Sequence, residues 1–268
     1  MKIRFWGVRG SIPTPGERTA KFGGNTSCVE ITTNSGETLI FDAGTGIREL
    51  GLDFLRRNDR SDEAHLFISH VHWDHVQGFP YFVPAYLADM KINIYSGMDI
   101  KKPFSIQMEP PFFPIRLDEL NSDITFHVLD KNGIDINGVS IKPFSLVHPQ
   151  EVYGFVIKDG GRKIVYSTDT EHEIGGKHEK YIEAIRGADV LLFDAQYTPE
   201  EYIKGRVGWG HSTYEAAIEI AKMADVKKLV LFHHEPTHDD ATVEAIEKDA
   251  QKLFPDIIAA REGMTLEV

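Results

Sequence analysis

Short apolar and β-branched runs separated by turn residues predict a chain built largely of β-strands. Two segments have the pattern of β-hairpins: residues 28–42, which turn at an Asn-Ser-Gly sequence, and residues 153–169, which turn at an Asp-Gly-Gly sequence. Strand-forming residues on both sides of such turns are strong hairpin signals. The first hairpin ends on Asp42 and the second on Asp169, so the two halves of the chain look like weak copies of one design.

The remaining periodic segments divide into strands and helices. Further strands are predicted at residues 2–5, 92–95, 124–128, 136–144, 190–193 and 229–232, and helices at residues 47–57, 76–88, 179–185, 213–223 and 241–253. In each half the strands come first and the helices later. This order favours two sheets packed face to face, with helices on the outside.

Residues 101–120 break the pattern, because they are rich in proline and aromatic residues. Proline excludes both a long helix and a central strand. We expect a long ordered loop, which either packs on the core or forms a wall of a substrate pocket.

The composition is that of a globular protein. With 41% hydrophobic and 26% charged residues, a chain of 268 residues can form one large domain over residues 1–268, or two small ones. The apolar stretches are too short to span a bilayer and the first residues lack the apolar region of a signal peptide, so we expect a cytoplasmic protein without a membrane partner.

Charge and cysteine content narrow the choice of ligands. The net charge is −12 and Lys and Arg form no basic stripe, which makes a long nucleic acid a less favoured partner. Cys28 is the single cysteine, so an intramolecular disulfide and a Cys-rich zinc site are both excluded. Any bound metal must be held by His, Asp and Glu.

Three histidines and an aspartate lie within six residues, directly after the apolar run 66–68. They are His70, His72, Asp74 and His75, in an H-x-H-x-D-H array. Imidazole and carboxylate groups suit zinc, manganese or iron. Residues two apart share one side of an extended segment, so His70 and His72 can share one ion while the next two residues turn toward a second.

Other candidate ligands also follow apolar runs. His148, Asp169 and His233 each come directly after a predicted strand, and strand ends can converge at one edge of a sheet. His234 is an alternative to His233 if that strand ends one residue later. His172 and His178 are interpreted as surface residues.

The complete series resembles the metallo-β-lactamase superfamily. Asp42, the H-x-H-x-D-H array and the three later residues occur in the expected order over nearly the whole chain. The resemblance implies an αββα sandwich, in which two mixed β-sheets are flanked by helices, with two divalent metal ions, Zn²⁺ or Mn²⁺, and iron as a further candidate. It assigns His70, His72 and His148 to one ion. It assigns Asp74, His75 and His233 to the other, with Asp169 as the bridge.

Within the superfamily the chain is similar to the ribonuclease Z and cyclic phosphodiesterase branch. The similarity rests on Gly210-His211-Ser212-Thr213 before a helix, and on the strand that leads to His233. By this resemblance, His211 and Asp74 are the catalytic residues: Asp74 orients the nucleophile, and His211 protonates the leaving oxygen or stabilises negative charge. Asp42 is expected either to orient a ligand histidine or to be purely structural. A homodimer is also implied.

One feature departs from the ribonuclease Z pattern. Enzymes of that branch that process tRNA carry a protruding arm between the motifs that match His148 and Asp169, and here only a hairpin separates them. The sequence therefore favours a phosphodiesterase that acts on a small phosphodiester such as a cyclic nucleotide. The alternatives are a tRNA 3′-processing endonuclease, a thioester, lactone or β-lactam hydrolase on the same scaffold, and a metal-binding sensor without turnover.

Overall fold

The computed structural model describes residues 1–58, 60–176 and 178–268, and their strands form two seven-stranded sheets. Six strands of the first sheet come from the first half of the chain: β1 (Lys2–Gly7), β2 (Cys28–Thr32), β3 (Thr38–Phe41), β4 (Glu63–Phe67), β5 (Lys91–Ser96) and β6 (Asp123–Val128). They lie side by side in chain order.

The second sheet is formed by the second half of the chain. Its strands also lie in chain order: β7 (Ile134–Ile136), β8 (Val139–Ser145), β9 (Tyr153–Asp159), β10 (Arg162–Ser167), β11 (Val190–Asp194), β12 (Lys228–Phe232) and β13 (Ile257–Ala259). The last strand, β14 (Thr265–Glu267), returns to the first sheet and pairs with β1.

Seven α-helices are present in the described residues, and of these the longer ones cover the outer faces of the sheets. They are α1 (Ile47–Arg56), α2 (Trp73–Val76), α3 (Lys101–Ile106), α4 (Glu179–Ile185), α5 (Pro199–Ile203), α6 (Tyr214–Met223) and α7 (Asp240–Leu253). A buried cluster between the sheets includes Phe41, Phe67, Phe155 and Tyr166. Separate apolar clusters lie under the helices of each half. This arrangement is the predicted αββα sandwich. Within the described residues, no helix is long and apolar enough to cross a membrane.

The direction of the strands brings their carboxyl ends to one edge. Strands β3 to β6 are parallel to one another, and so are β10 to β13. Strand β8 has the direction of β10, because β9 between them is antiparallel to both. The residues that follow β3, β4, β8, β10, β11 and β12 are therefore well placed to form a common site.

Two sequence predictions about single elements were wrong. Residues 136–144 do not form one strand, because Asn137 and Gly138 adopt positive φ angles and turn the chain from β7 into β8. Residues 76–88 do not form one helix. Pro80 and Pro84 each lie in a short 3₁₀ turn, since proline starts a helical turn readily but cannot continue one.

Residues 101–120 pack on the first sheet's outer cluster. The short helix α3 contributes Phe104, which is fully buried, and Met108 is buried two residues after the helix. The loop is thus ordered as predicted, but it contains a helix that the sequence did not indicate.

An ion pair between the half-buried Arg57 and the buried Glu30 joins the end of α1 to strand β2. Arg57 Nη2 lies 3.0 Å from Glu30 Oε2, and Trp6 Nε1 donates to the same oxygen at 2.9 Å. The Glu30 side chain is only 3% exposed. A carboxylate this deeply buried depends on its cationic partner.

Replacing Arg57 with alanine is expected to lower the free energy of unfolding by about 3 kcal/mol, because Glu30 would remain buried without its cation. Urea unfolding measures the change. Arg48→Ala is the control: Arg48 pairs with Glu49 on the exposed face of α1, and this change is expected to cost less than about 1 kcal/mol. Equal losses for the two variants would contradict the interpretation.

Candidate metal centre

Three of the predicted site residues follow strands in a left-handed backbone conformation. Asp42 follows β3 with φ 59°, Asp169 lies two residues after β10 with φ 53°, and His233 follows β12 with φ 62°. Non-glycine residues adopt this conformation rarely, Asp and His more often than most, and such strained residues cluster at functional sites. The sharp change in direction turns each side chain away from its strand, and the buried Asp169 and His233 face each other.

The H-x-H-x-D-H array runs from the end of β4 into α2. His70 lies in the segment after the strand, His72 caps the amino end of α2, and Asp74 and His75 lie within the helix. His70, Asp74 and His75 are buried, and His72 is partly exposed.

The structure brings the predicted residues together in two groups. In one, ligand atoms of His70, His72, His148 and Asp169 all lie within 4.8 Å of one another. In the other, the same is true of Asp74, His75 and His233.

Asp169 faces both groups, one with each carboxylate oxygen. Its Oδ1 lies 3.2 Å from His75 Nε2 and 3.3 Å from His233 Nε2. Its Oδ2 lies 3.4 Å from His70 Nε2 and 3.9 Å from His148 Nε2. This is the orientation that a carboxylate shared by two ions requires.

The donor chemistry fits divalent metal ions. The Nε2 atoms of His70, His75 and His148 are buried without a hydrogen-bond partner among the described residues. Buried polar atoms are normally satisfied, so these nitrogens are suited to a ligand. Burial lowers the pKa of His148 to about 4 and that of His70 well below the ordinary value. Both rings are therefore neutral, as metal ligation requires.

The carboxylate of Asp42 contacts the Nδ1 side of the His75 ring. Its Oδ2 lies 2.8 Å from His75 Nδ1 and also accepts a hydrogen bond from Tyr166 Oη at 2.7 Å. The backbone N–H and hydroxyl of Ser69 donate to the same carboxylate. This contact leaves His75 Nε2 to face Asp74 and Asp169, and it corresponds to the orienting role considered for Asp42 rather than the purely structural one.

Gln196 and Ser11 also belong to the site, although neither was predicted. Gln196 Oε1 lies 3.1 Å from His233 Nδ1, and the backbone N–H of Ser11 donates to Asp74 Oδ2 at 2.7 Å. Gln196 follows strand β11, so the strand-end argument applied to His233 could have found it. Gly10 lies against the ring of His233, where only glycine fits, because a β-carbon at this position would lie 2.5 Å from His233 Nδ1.

His211 lies beside the metal-ligand candidates and is paired with Asp194. Its Nδ1 is 2.7 Å from Asp194 Oδ2, and its ring stacks on that of His233 with the centroids 5.0 Å apart. Burial opposes the charged imidazolium, but Asp194 outweighs burial and raises the pKa of His211 to about 9. His211 therefore carries a proton at neutral pH.

A further set of potential ligands, Asp169, Asp194, His211 and His233, also lies within 4.8 Å. Asp194 and His211 are already hydrogen-bonded to each other. We therefore describe them as a proton-bearing pair that lies beside the metal-ligand candidates Asp169 and His233.

The structure also decides two predictions about other histidines, His234 and His172. His234 points away from the site, with its Nε2 2.8 Å from the carbonyl oxygen of Ala260, so it is not the alternative to His233. His172 is buried, whereas a surface position was expected, and its ring nitrogens lie 3.0 Å from Thr170 Oγ1 and His178 Nδ1.

A small open cavity of about 250 Å³ lies over the site. Its lining consists of Ser11, His72, Trp73, Asp74, Asp169, His211 and His233. Within the described part of the chain, residues 101–120 contribute nothing to this lining, so the interpretation of that loop as a wall of the pocket over the metal-ligand candidates was wrong. The lining places carboxylate, imidazole and hydroxyl groups around one solvent-accessible point.

The chain belongs to the beta-lactamase superfamily, whose domain model matches residues 37–234. The match and this fold make the protein a metal-dependent hydrolase, and its relatives by sequence include proteins named ribonuclease Z. A ribonuclease Z from Archaeoglobus fulgidus is 25% identical over 319 aligned positions, which cover 100% of this chain and 97% of the relative. A ribonuclease Z from Azobacteroides pseudotrichonymphae is 27% identical, and the alignment covers 89% of this chain and 91% of the relative.

Solved structures share the fold. The metallo-beta-lactamase fold protein YhfI from Bacillus subtilis superposes with a TM-score of 0.75 at 18% identity, covering 100% of this chain and 98% of its own. The short form of human tRNase Z superposes with a TM-score of 0.72 at 22% identity, covering 100% of this chain and 99% of its own. A diphosphatase from the PhnP family superposes with a TM-score of 0.74 at 17% identity, covering 100% of this chain and 97% of its own.

Asp42→Asn is expected to weaken binding of Mn²⁺ or Zn²⁺ by about 10–100-fold, because the partner that fixes the orientation of His75 would be altered. Isothermal titration with the apoprotein measures the affinity. Tyr166→Phe is the matched control, since it removes one hydrogen bond from the same carboxylate without touching His75. If both variants lose the same affinity, the effect is not transmitted through His75.

Proposed function

We propose that this protein is a phosphodiesterase with two divalent ions, Zn²⁺ or Mn²⁺, that acts on a small phosphodiester such as a cyclic nucleotide. The observation that carries the proposal is the Asp169 carboxylate, which presents one oxygen to each of two groups of potential ligands. We assign His70, His72 and His148 to one ion and Asp74, His75 and His233 to the other, with Asp169 between them.

The ions would supply the chemistry that side chains of this site lack, since they lower the pKa of water toward neutrality and neutralise charge on phosphoryl oxygens. Asp74 is held by Ser11 and faces His75 and His233, a position suited to orienting the nucleophile. His211, fixed by Asp194, would give a proton to the leaving oxygen.

A small substrate is favoured by what surrounds the site. Strands β9 and β10, which fill the space between His148 and Asp169 in the sequence, pair along their length from Tyr166 opposite Phe155 to Arg162 opposite Asp159. No tRNA-gripping arm protrudes from the described residues between them. The cavity of about 250 Å³ and the net charge of −12 also favour a compact substrate over a long polyanion.

A tRNA 3′-processing endonuclease is the second candidate, because several relatives of similar sequence are named ribonuclease Z. Cleavage of a precursor tRNA at rates comparable with those for cyclic nucleotides would favour it. Gel analysis of a labelled precursor, with and without metal, separates the two candidates. The implied homodimer stays a prediction.

Metal removal tests the proposed chemistry. Protein treated with a chelator should lose hydrolysis of bis(p-nitrophenyl) phosphate, and Mn²⁺ or Zn²⁺ should restore it. Asp169→Asn is expected to reduce turnover at least about 100-fold and to lower the number of ions bound, because one side chain faces both groups of ligands. Asp189→Asn is the control and should retain turnover, because Asp189 precedes β11 and so lies at the end of the strand away from the candidate ligands. Full metal binding without turnover in the unmodified protein would refute the phosphodiesterase proposal.

His211→Ala tests the proton donor. With a cyclic nucleotide, whose leaving alcohol needs a proton, turnover should fall by about 10²–10⁴-fold while the metal content is unchanged. With bis(p-nitrophenyl) phosphate the loss should be much smaller, because p-nitrophenolate leaves without protonation. Equal losses on both substrates would instead indicate that His211 stabilises charge, and loss of metal would make it a ligand.

A further inference from the structure

Trp73 is a large aromatic side chain that remains exposed at the edge of the catalytic cavity. It is 64% exposed, and it lines the cavity together with its neighbours His72 and Asp74. Within the described part of the chain, no aromatic ring or cation lies against its ring. An exposed tryptophan in a cavity wall provides a flat apolar surface next to the reacting groups.

The chemistry of the rest of the lining makes this surface distinctive. The other lining side chains are the hydroxyl of Ser11 and the imidazole and carboxylate groups described above. These groups can hold metal ions, phosphate oxygens and protons, but they offer no extended apolar face to an organic ester group. Trp73 supplies that face.

Two other exposed aromatic residues have a partner, and a third, Phe112, is 66% exposed but does not line the cavity. Trp209 is 54% exposed, but the guanidinium of Arg206 lies over its ring at 4.4 Å. Tyr81 is 59% exposed and its ring lies 5.8 Å from that of Phe113. Neither residue lines the cavity. Trp73 thus combines exposure, an uncovered ring and contact with the cavity.

The position of Trp73 in the chain fixes the ring relative to the site. It is the first residue of α2, and its carbonyl oxygen accepts a hydrogen bond from the backbone N–H of Gln77 at 2.8 Å. Asp74 and His75, the next two residues, are buried. The backbone that carries the ring is therefore held next to the residues that would bind the phosphate.

We propose that Trp73 is a stacking platform for a nucleobase, so that the substrates are nucleoside phosphodiesters. The inference rests on the proposed phosphodiesterase function, which fixes where the phosphate lies. Bases stack on aromatic side chains irrespective of sequence, because every base has a π-face. Trp73 would therefore distinguish nucleotides from phosphodiesters with alkyl or sugar groups only, without selecting one base.

The test compares two phosphate monoesters that differ only in the base, AMP and ribose 5-phosphate. Calorimetric titration of the Mn²⁺-loaded protein should show that AMP binds about tenfold more tightly. Trp73→Ala should bring AMP to the affinity of ribose 5-phosphate and leave the latter within about twofold. Trp73→Phe, which retains a ring, should keep most of the preference for AMP.

Two controls separate stacking from a structural effect. The metal content of Trp73→Ala should equal that of the unmodified protein, and Tyr81→Ala, which removes an exposed ring outside the cavity, should bind AMP normally. Equal affinity of the unmodified protein for the two ligands, or a preference for AMP that survives in Trp73→Ala, overturns the inference. Because the test measures binding, its result is independent of turnover, so failure of the phosphodiesterase proposal and failure of the stacking proposal are distinguishable.

Discussion

The carboxylate of Asp169 lies among imidazoles from both β-sheets, and this proximity is possible only in a narrow range of positions of one sheet relative to the other. Its Oδ1 and Oδ2 lie within 3.2–3.9 Å of rings that follow β4 in one sheet and β8 and β12 in the other. A shift of either sheet by an ångström or two would separate these atoms. The aromatic cluster between the sheets resists such a shift, and Tyr166 joins it directly to the site through Asp42.

The two halves of the chain have the same plan. Apart from β14, the strands of each sheet lie in chain order, and a hairpin with antiparallel strands leads into three further parallel strands. The second strand of each hairpin is followed by an aspartate with positive φ. Yet the two aspartates differ in what they contact. Asp42 faces the back of His75, whereas Asp169 lies among the ring nitrogens on the open side. The weak internal likeness seen in the sequence is therefore a real correspondence in structure.

Much of the fold and the proximity of the candidate ligands could be predicted from the sequence, because each candidate follows an apolar run that ends at the same edge. The failures have physical causes. The pattern of residues 76–88 has helical spacing, but Pro80 and Pro84 divide the segment into turns. Gln196 follows a strand as His233 does, but it was missed because its amide is not a typical ligand of zinc, manganese or iron. The burial of His172 likewise depends on tertiary packing, which a polar local sequence does not reveal.

The left-handed backbone at Asp42, Asp169 and His233 also has an evolutionary consequence. Glycine adopts this conformation without the steric cost that other residues carry. Backbone strain alone would therefore favour glycine at all three positions, and only selection for what the side chains do opposes that drift. A lineage that kept this fold after losing its chemistry is expected to acquire glycine at these positions, while the aromatic residues between its sheets remain.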